Sequence, residues 1–252
     1  MQRIVVIAAA IIASTETASA NSVTPAGCGT CTLDAQPYTG TPPFTLVNLG
    51  TATTSARQPI ASPITVSGET ITFPASNSGV YAGDGSVCGG LIRSPFGDAD
   101  TTDNYLGAVP CDSGVTITFI TPQHQFNLLW GTVDARPVTY NQVTLIFSDG
   151  VGVVNGADVA AAGISGNGNA TVEITTTQPF TSVTLSASEA SFEFVPSVPV
   201  SLFAGTPGQA NCHGQSVSAL AQQYGGLRAA AAALGYSSVQ LLQNDIAKYC
   251  AG

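Results

Sequence analysis

The sequence predicts a mainly β protein, an antiparallel β-sandwich or jelly roll followed by a small C-terminal three-helix module. Three observations predict it. Between positions 44 and 200, short runs alternate apolar and polar residues, with Gly, Pro, Asn and Asp between the runs. Only 8% of the chain is charged, and the polar residues are mainly Thr and Ser, which with Val suit strands and turns. Near position 200 the spacing of apolar residues changes from two to that of a helix.

The chain opens with Met1-Gln2-Arg3, which carries one positive charge. Ile4 to Ala13 is unbroken apolar sequence, and Ala18-Ser19-Ala20 is a small-x-small site after a polar patch. That pattern predicts a secretory signal peptide over residues 1–20, cleaved between Ala20 and Asn21. A membrane-spanning helix takes about twenty apolar residues, roughly twice this run. No later stretch is long and apolar enough, so no membrane insertion is expected after cleavage. The expected location is secreted or periplasmic.

Residues 21–43 contain Pro25, Gly27, Gly29, Pro37, Gly40, Pro42 and Pro43 and read as an irregular lead-in. The β domain is expected over 44–200, starting with the extended run from Phe44 to Asn48. Ile64 to Val66 and Thr70 to Phe73 flank a hairpin turn at Gly68-Glu69. Val115 to Phe119 alternates, and Phe126 to Trp130 follows after a turn at Pro122. Val143 to Phe147 ends at Ser148-Asp149-Gly150. Ala170 to Thr175, Val183 to Ser186 and Phe192 to Phe194 complete the series. Period-two alternation buries one face and wets the other. No long helical pattern separates the strands, which argues against parallel βαβ units.

Residues 201–211 read as a linker. From 212 to 252 the sequence predicts a helical module. Val217, Leu220, Ala221 and Tyr224 form one helical stripe, stopped by Gly225-Gly226. An alanine-rich segment runs from Leu227 to Leu234. A third helix begins at Ser237, with Gln240 in capping-box spacing. Three short helices in about forty residues make a core too small to be very stable alone.

Six cysteines in an exported chain favour disulfides. Neighbourhood suggests Cys28–Cys31, Cys88–Cys111 and Cys212–Cys250, out of fifteen pairings that six cysteines allow. A Cys212–Cys250 bridge would contribute roughly 4 kcal/mol in the chain-entropy model. Cys28-Gly-Thr-Cys31 has redox spacing, but no amphipathic helix follows to lower a thiol pKa, so a structural bridge is expected. A zinc site from Cys28, Cys31, Cys212 and His213 would need two distant halves to meet.

The net charge is −9, with Lys248 the only lysine and Arg57, Arg93, Arg136 and Arg228 the arginines beyond the signal segment. Scattered cations in so acidic a chain cannot displace counterions from phosphates, which excludes nucleic acid as a partner. An anionic membrane surface is excluded for the same reason.

Asp98, Asp100, Asp103 and Asn104 fall close together, with Asp112 nearby. Oxygen ligands at this spacing suit calcium, although the run lacks the central Gly and closing Glu of an EF-hand. The alternative is a solvated loop whose Asp and Asn side chains make turns. Trp130, Asp134 and Tyr140 are the candidate carbohydrate contact: an aromatic face stacks on a sugar ring and a carboxylate binds hydroxyls. The competing reading of Trp130 is a core residue. The only histidines are His124 and His213, and there is no Gly-x-Ser-x-Gly elbow or His-Glu-x-x-His helix. No catalytic residue is assigned.

Two stretches carry resemblances. Ala210-Asn-Cys-His-Gly-Gln-Ser-Val-Ser-Ala-Leu-Ala-Gln-Gln-Tyr-Gly-Gly-Leu, continuing to Tyr249-Cys250, resembles a C-terminal module of exported bacterial proteins, to which no function is attached. Ser94-Pro-Phe-Gly-Asp98, Tyr105-Leu106 and Leu128-Leu-Trp-Gly-Thr-Val-Asp134 resemble the β domain of exosortase-dependent surface proteins of the PEP-CTERM type. That family ends in Pro-Glu-Pro, an apolar helix and a basic tail, and this sequence shows none of them.

The expected function is a non-enzymatic binding or adhesion protein, with a glycan or another envelope protein as partner. An envelope or matrix structural protein and a secreted glycoside hydrolase are the alternatives. The hydrolase needs only a pair of carboxylates and no local motif.

Overall fold

The computed structural model describes residues 22–52, 56–66, 69–97, 103–134, 140–164, 166, 168–199 and 203–251. The expected signal segment lies outside them. The described chain is mainly β, with thirteen strands and four helices. In chain order the first strands are β1 (Cys31–Pro37), β2 (Ala56–Arg57), β3 (Ile64–Val66), β4 (Glu69–Thr72), β5 (Gly79–Ala82), β6 (Gly85–Val87), β7 (Gly90–Ile92) and β8 (Asn104–Ala108). Then come β9 (Val115–Trp130), β10 (Asn141–Phe147), β11 (Val151–Asn155), helix α1 (Gly156–Ala161), β12 (Ala170–Ala187) and β13 (Phe192–Pro196).

All strands but β6 and β7 join one curled antiparallel sheet. Its spine is the antiparallel pair β9 and β12, whose register jumps between Thr175 and Phe180 and again before Ser182. Pro122 and Pro179 lie in this break. A proline cannot donate to a ladder, so a strand tolerates one where pairing is already interrupted. Beyond the break each strand changes neighbours. The Ala170–Thr176 part of β12 pairs with β1, while its later part pairs with β10. The start of β9 pairs with β4 and its end with β13. Each pair of runs expected as separate strands is therefore one long, broken strand.

The irregular lead-in expected over 21–43 contains β1, paired along its whole length with β12. Cys31, Leu33 and Ala35 face inward and Thr32 outward, the alternation of a half-buried strand. The run from Phe44 is not a strand. It runs antiparallel to the end of β13 and makes one isolated bridge, Leu46 to Ser197. The expected β3–β4 hairpin is present, with Val66 opposite Glu69.

One buried cluster fills the inside of the curl, from Val115 and Ile117 to Leu128, Trp130, Phe192 and Phe194. A second cluster on the other face gathers Tyr81, Ile92, Tyr105, Val109, Leu129 and Val195, with Leu46, Leu49, Val87 and Phe96 packed on it. The β6–β7 hairpin supplies Val87 and Ile92 to this second cluster.

The helices after the sheet are α2 (Cys212–Tyr224), α3 (Leu227–Ala233) and α4 (Val239–Ala251). Gly225 ends α2 in the left-handed conformation, φ 74°. Ser238 rather than Ser237 caps α4: its Oγ accepts the Leu241 N–H at 3.3 Å. Phe203, Leu220, Ala230, Ala231, Leu234, Leu242 and Ile246 form a core of their own. No helix among the described residues is long and apolar enough to cross a membrane.

Disulfides join Cys28–Cys31, Cys88–Cys111 and Cys212–Cys250, with Cα separations of 5.3, 6.0 and 5.6 Å. None of the six cysteines is free. These bridges are consistent with an oxidising compartment. They also leave Cys28, Cys31 and Cys212 no thiolate for zinc.

Candidate functional site

A cleft of about 490 Å³ opens where the end of β7, the loop after β9 and the turn from β12 to β13 converge. Its lining includes Arg93, Thr132, Asp134, Glu189, Ser191 and Glu193. Each comes from a segment fixed by backbone pairing or packing.

The loop Gly131 to Asp134 is pinned from several sides. The Gly131 N–H donates to the Glu193 carbonyl at 2.8 Å, and the Val133 N–H to the Gly168 carbonyl at 2.9 Å. The Thr132 N–H donates to Asn169 Oδ1 at 3.0 Å, and the Asn169 amide donates on to the Pro95 carbonyl at 2.8 Å. Thr132 has φ 31°, a conformation a β-branched residue rarely takes. The Asn141 amide holds Asp134 Oδ2 at 3.0 Å. Any side chain at Gly156, the first residue of α1, would collide with the Asp134 carbonyl. The short helix thus buttresses the loop, and its missing Cβ lets it approach.

Glu193 lies on β13 between Phe192 and Phe194. Those two rings face the main core and Trp130, so alternation puts Glu193 on the face of Val195. It is 2% exposed. Its Oε1 accepts the Arg93 N–H at 3.1 Å. Burial pushes its carboxyl up to about 8, despite the hydrogen bonds from the Arg93 and Glu193 N–H groups that favour the ionised form. The nearby Asp134 charge pushes the same way. Burial also raises Asp134, against the hydrogen bond from Asn141. Glu189 is exposed on the turn before β13 and accepts the Tyr140 hydroxyl, which raises the phenol's pKa. Ser191 is 3% exposed, and its Oγ has no hydrogen-bond partner among the described residues.

The cleft lining therefore brings together three carboxyl groups, a guanidinium and the Thr132 and Ser191 side chains. Such a set donates and accepts hydrogen bonds in several directions, as a polyhydroxylated ligand requires.

Of the carbohydrate contacts expected from sequence, Asp134 lines this cleft and Tyr140 touches it through Glu189. Trp130 does not join them. It is fully buried, its ring centroid 4.4 Å from that of Phe192, so it presents no face to a sugar. The strand alternation that makes Trp130 apolar-flanked also turns it inward. Arg93, Glu189, Ser191 and Glu193 were not singled out from sequence. They come from two segments about a hundred residues apart, and only the fold brings them together.

Of the calcium candidates, Asp98 and Asp100 lie outside the described residues. Asp103 bridges to Thr51. Asn104 is buried, and its amide donates to the Leu49 carbonyl at 2.9 Å, which ties the outer loop to β8. Asp112 is engaged by the Ser76 hydroxyl at 2.7 Å and the Asn77 N–H at 2.8 Å. No group of three or more acidic, His or Cys side chains among the described residues could hold a metal ion.

Fold and cleft together define a disulfide-bonded, curled β-sheet protein with an acidic cleft on the outer face of its sheet. Comparison of the chain with protein-family models, curated proteins and solved structures finds no match.

Proposed function

We propose that this chain is an exported, non-enzymatic binding protein that takes a glycan in the cleft between Arg93, Asp134, Glu189 and Ser191. The observation that carries it is the cleft itself, where polar side chains from three segments converge. The three disulfides fit passage through an oxidising compartment, as the signal-like residues 1–20 do. We further read the curled sheet as a sandwich, since the parts of β9 and β12 on either side of the proline break share one buried cluster.

A glycan array probed with the purified, oxidised chain tests the function. A discrete set of bound glycans, lost in Asp134→Asn, is expected. Uniform silence would favour the envelope structural protein. Release of new reducing ends from a bound glycan would favour the hydrolase, since Glu193 and Asp134 are paired carboxyls in one cleft.

A further inference from the structure

We infer that the Cys88–Cys111 bridge is a redox latch on one wall of the cleft: a dithiol opens it, the tip of the β6–β7 hairpin is released, and ligand affinity falls. The opening of the latch stands on the bridge and the hairpin alone. Its effect on binding rests on the glycan reading.

The three bridges differ in access. Cys88 and Cys111 are both exposed. Cys28 and Cys31 are 3% and 2% exposed, and Cys212 is fully buried. Exchange starts when a thiolate reaches a sulfur, so access sets which bridge opens first.

The hairpin is held at its base by packing and at its tip by this bridge. Among the described residues β6 and β7 pair only with each other, from Gly85 opposite Ile92 to Val87 opposite Gly90. At the base, Ile92 packs so close to Gly107 that a side chain there would collide with it. The Arg93 N–H donates to Glu193 and the Ser94 N–H to Asp84, at 3.1 and 3.0 Å. At the tip, Cys88 and Gly89 turn the chain with φ 54° and 79°. A two-residue turn with both φ values positive favours Asn-Gly, so a cysteine in the first place gives the turn little stability of its own. Val87 packs on the second cluster but is only half-buried, and Leu91 is 65% exposed. The other end of the bridge is fixed. Asp112, next to Cys111, accepts the Ser76 hydroxyl and the Asn77 N–H. Gly90 and Leu91 of the tip line the cleft, so freeing the tip removes part of its wall.

The exchange is a two-electron step. One thiolate of the dithiol attacks a sulfur of the bridge, forming a mixed disulfide and releasing the other cysteine as a thiolate that takes up a proton. The second thiol of the dithiol then displaces the remaining cysteine. The bridge is reduced to two thiols and the dithiol is oxidised to a disulfide.

The test treats the oxidised full chain with rising amounts of dithiothreitol, traps free thiols with iodoacetamide and maps them by mass spectrometry. Cys88 and Cys111 are expected to be labelled about ten-fold faster than the other four cysteines. Amide exchange is then followed in the chain reduced at this bridge alone and in the Cys88→Ser/Cys111→Ser variant. Protection should be lost over 86–91 and kept in β9 and β12. Another bridge opening first, or protection kept over 86–91, overturns the latch. A glycan bound by the oxidised chain should bind about ten-fold more weakly once the bridge is open. Equal affinity overturns the regulatory effect and leaves the glycan reading standing. If the oxidised chain binds no glycan, the glycan reading fails and the regulatory effect with it, while labelling and exchange still decide the latch.

Discussion

Glu69 opens β4 with its side chain fully buried and neither carboxyl oxygen hydrogen-bonded. Burial alone pushes its pKa from the ordinary 4.5 to about 8. Glu193 is displaced over the same range. In the unfolded chain both release their protons near pH 4.5, whereas the folded chain keeps them until about 8. Folded-state stability from these two groups is therefore fully present below the unfolded pKa. It falls as pH rises, by up to about 1.4 kcal/mol per pH unit for each group, and is gone above the folded pKa. Asp112 works in the opposite sense. Burial would raise its pKa, but hydrogen bonds from Ser76, Ser78 and Asn77 outweigh that and lower it. Its contribution is lost only in stronger acid. We expect the melting temperature to fall steadily from about pH 5 to about pH 8, and Glu69→Gln, which carries no charge at any pH, to remove close to half of that slope. A melting temperature flat over this range, or a slope unchanged by Glu69→Gln, would show that Glu69 ionises in place without cost.

At the scale of elements, what was legible depended on how strong the side chains were as signals. β10 and the two parts of β9 show plain alternation of large apolar residues, and all were readable. β1 was not, because its inward residues are Cys31, Leu33 and Ala35, two of them small, and Pro25, Gly27, Gly29 and Pro37 surround it. Pro122 was read as a turn between strands. It lies in a register break instead, because β12 carries Pro179 at the corresponding place and the pairing of the two strands is interrupted there. The cleft was half legible for a related reason. Asp134 and Tyr140 follow β9 closely, but Arg93, Glu189 and Glu193 are separated from them in sequence and share no motif with them. Helix α1 went unread although its start was written out. Asn155 accepts the Ala157 N–H at 2.9 Å and the Asp158 N–H at 3.3 Å, and Asp158 Oδ2 accepts the Asn155 N–H at 2.9 Å. That is a complete capping box on a helix of six residues. Asn155→Ala should cost about 1 kcal/mol in urea unfolding. Because Gly156 holds the Asp134 loop, the same change should weaken glycan binding. A cost of no more than a few tenths would mean that the strands on either side of α1, not its cap, hold it in place.

For the molecule as a whole, the question is how a core as small as that of α2 to α4 persists beside a far larger sheet. Seven buried residues form it, two of them alanines. Packing on the sheet contributes something: Gly235 lies so close to Pro179 that a side chain there would collide, which places the turn after α3 against the bend of β12. Helix α4 also rests on β9, and a further support is the Cys212–Cys250 bridge, which joins the first residue of α2 to the last turn of α4 across 38 positions. A loop of that length contributes roughly 4 kcal/mol in the chain-entropy model, comparable to the whole stability of so small a core. The two supports predict different outcomes. If the bridge dominates, replacing Cys212 and Cys250 together by Ser should abolish amide-exchange protection over 212–251 and leave protection of β9 and β12 as it was. If docking on β12 dominates, the helices should stay protected in that variant and lose protection instead when Gly235 is replaced by a bulky residue. The small apolar area of the helical core favours the first outcome, even with α4 resting on β9 and Gly235 on Pro179. Retained protection of α2 and α4 in the reduced chain would overturn it.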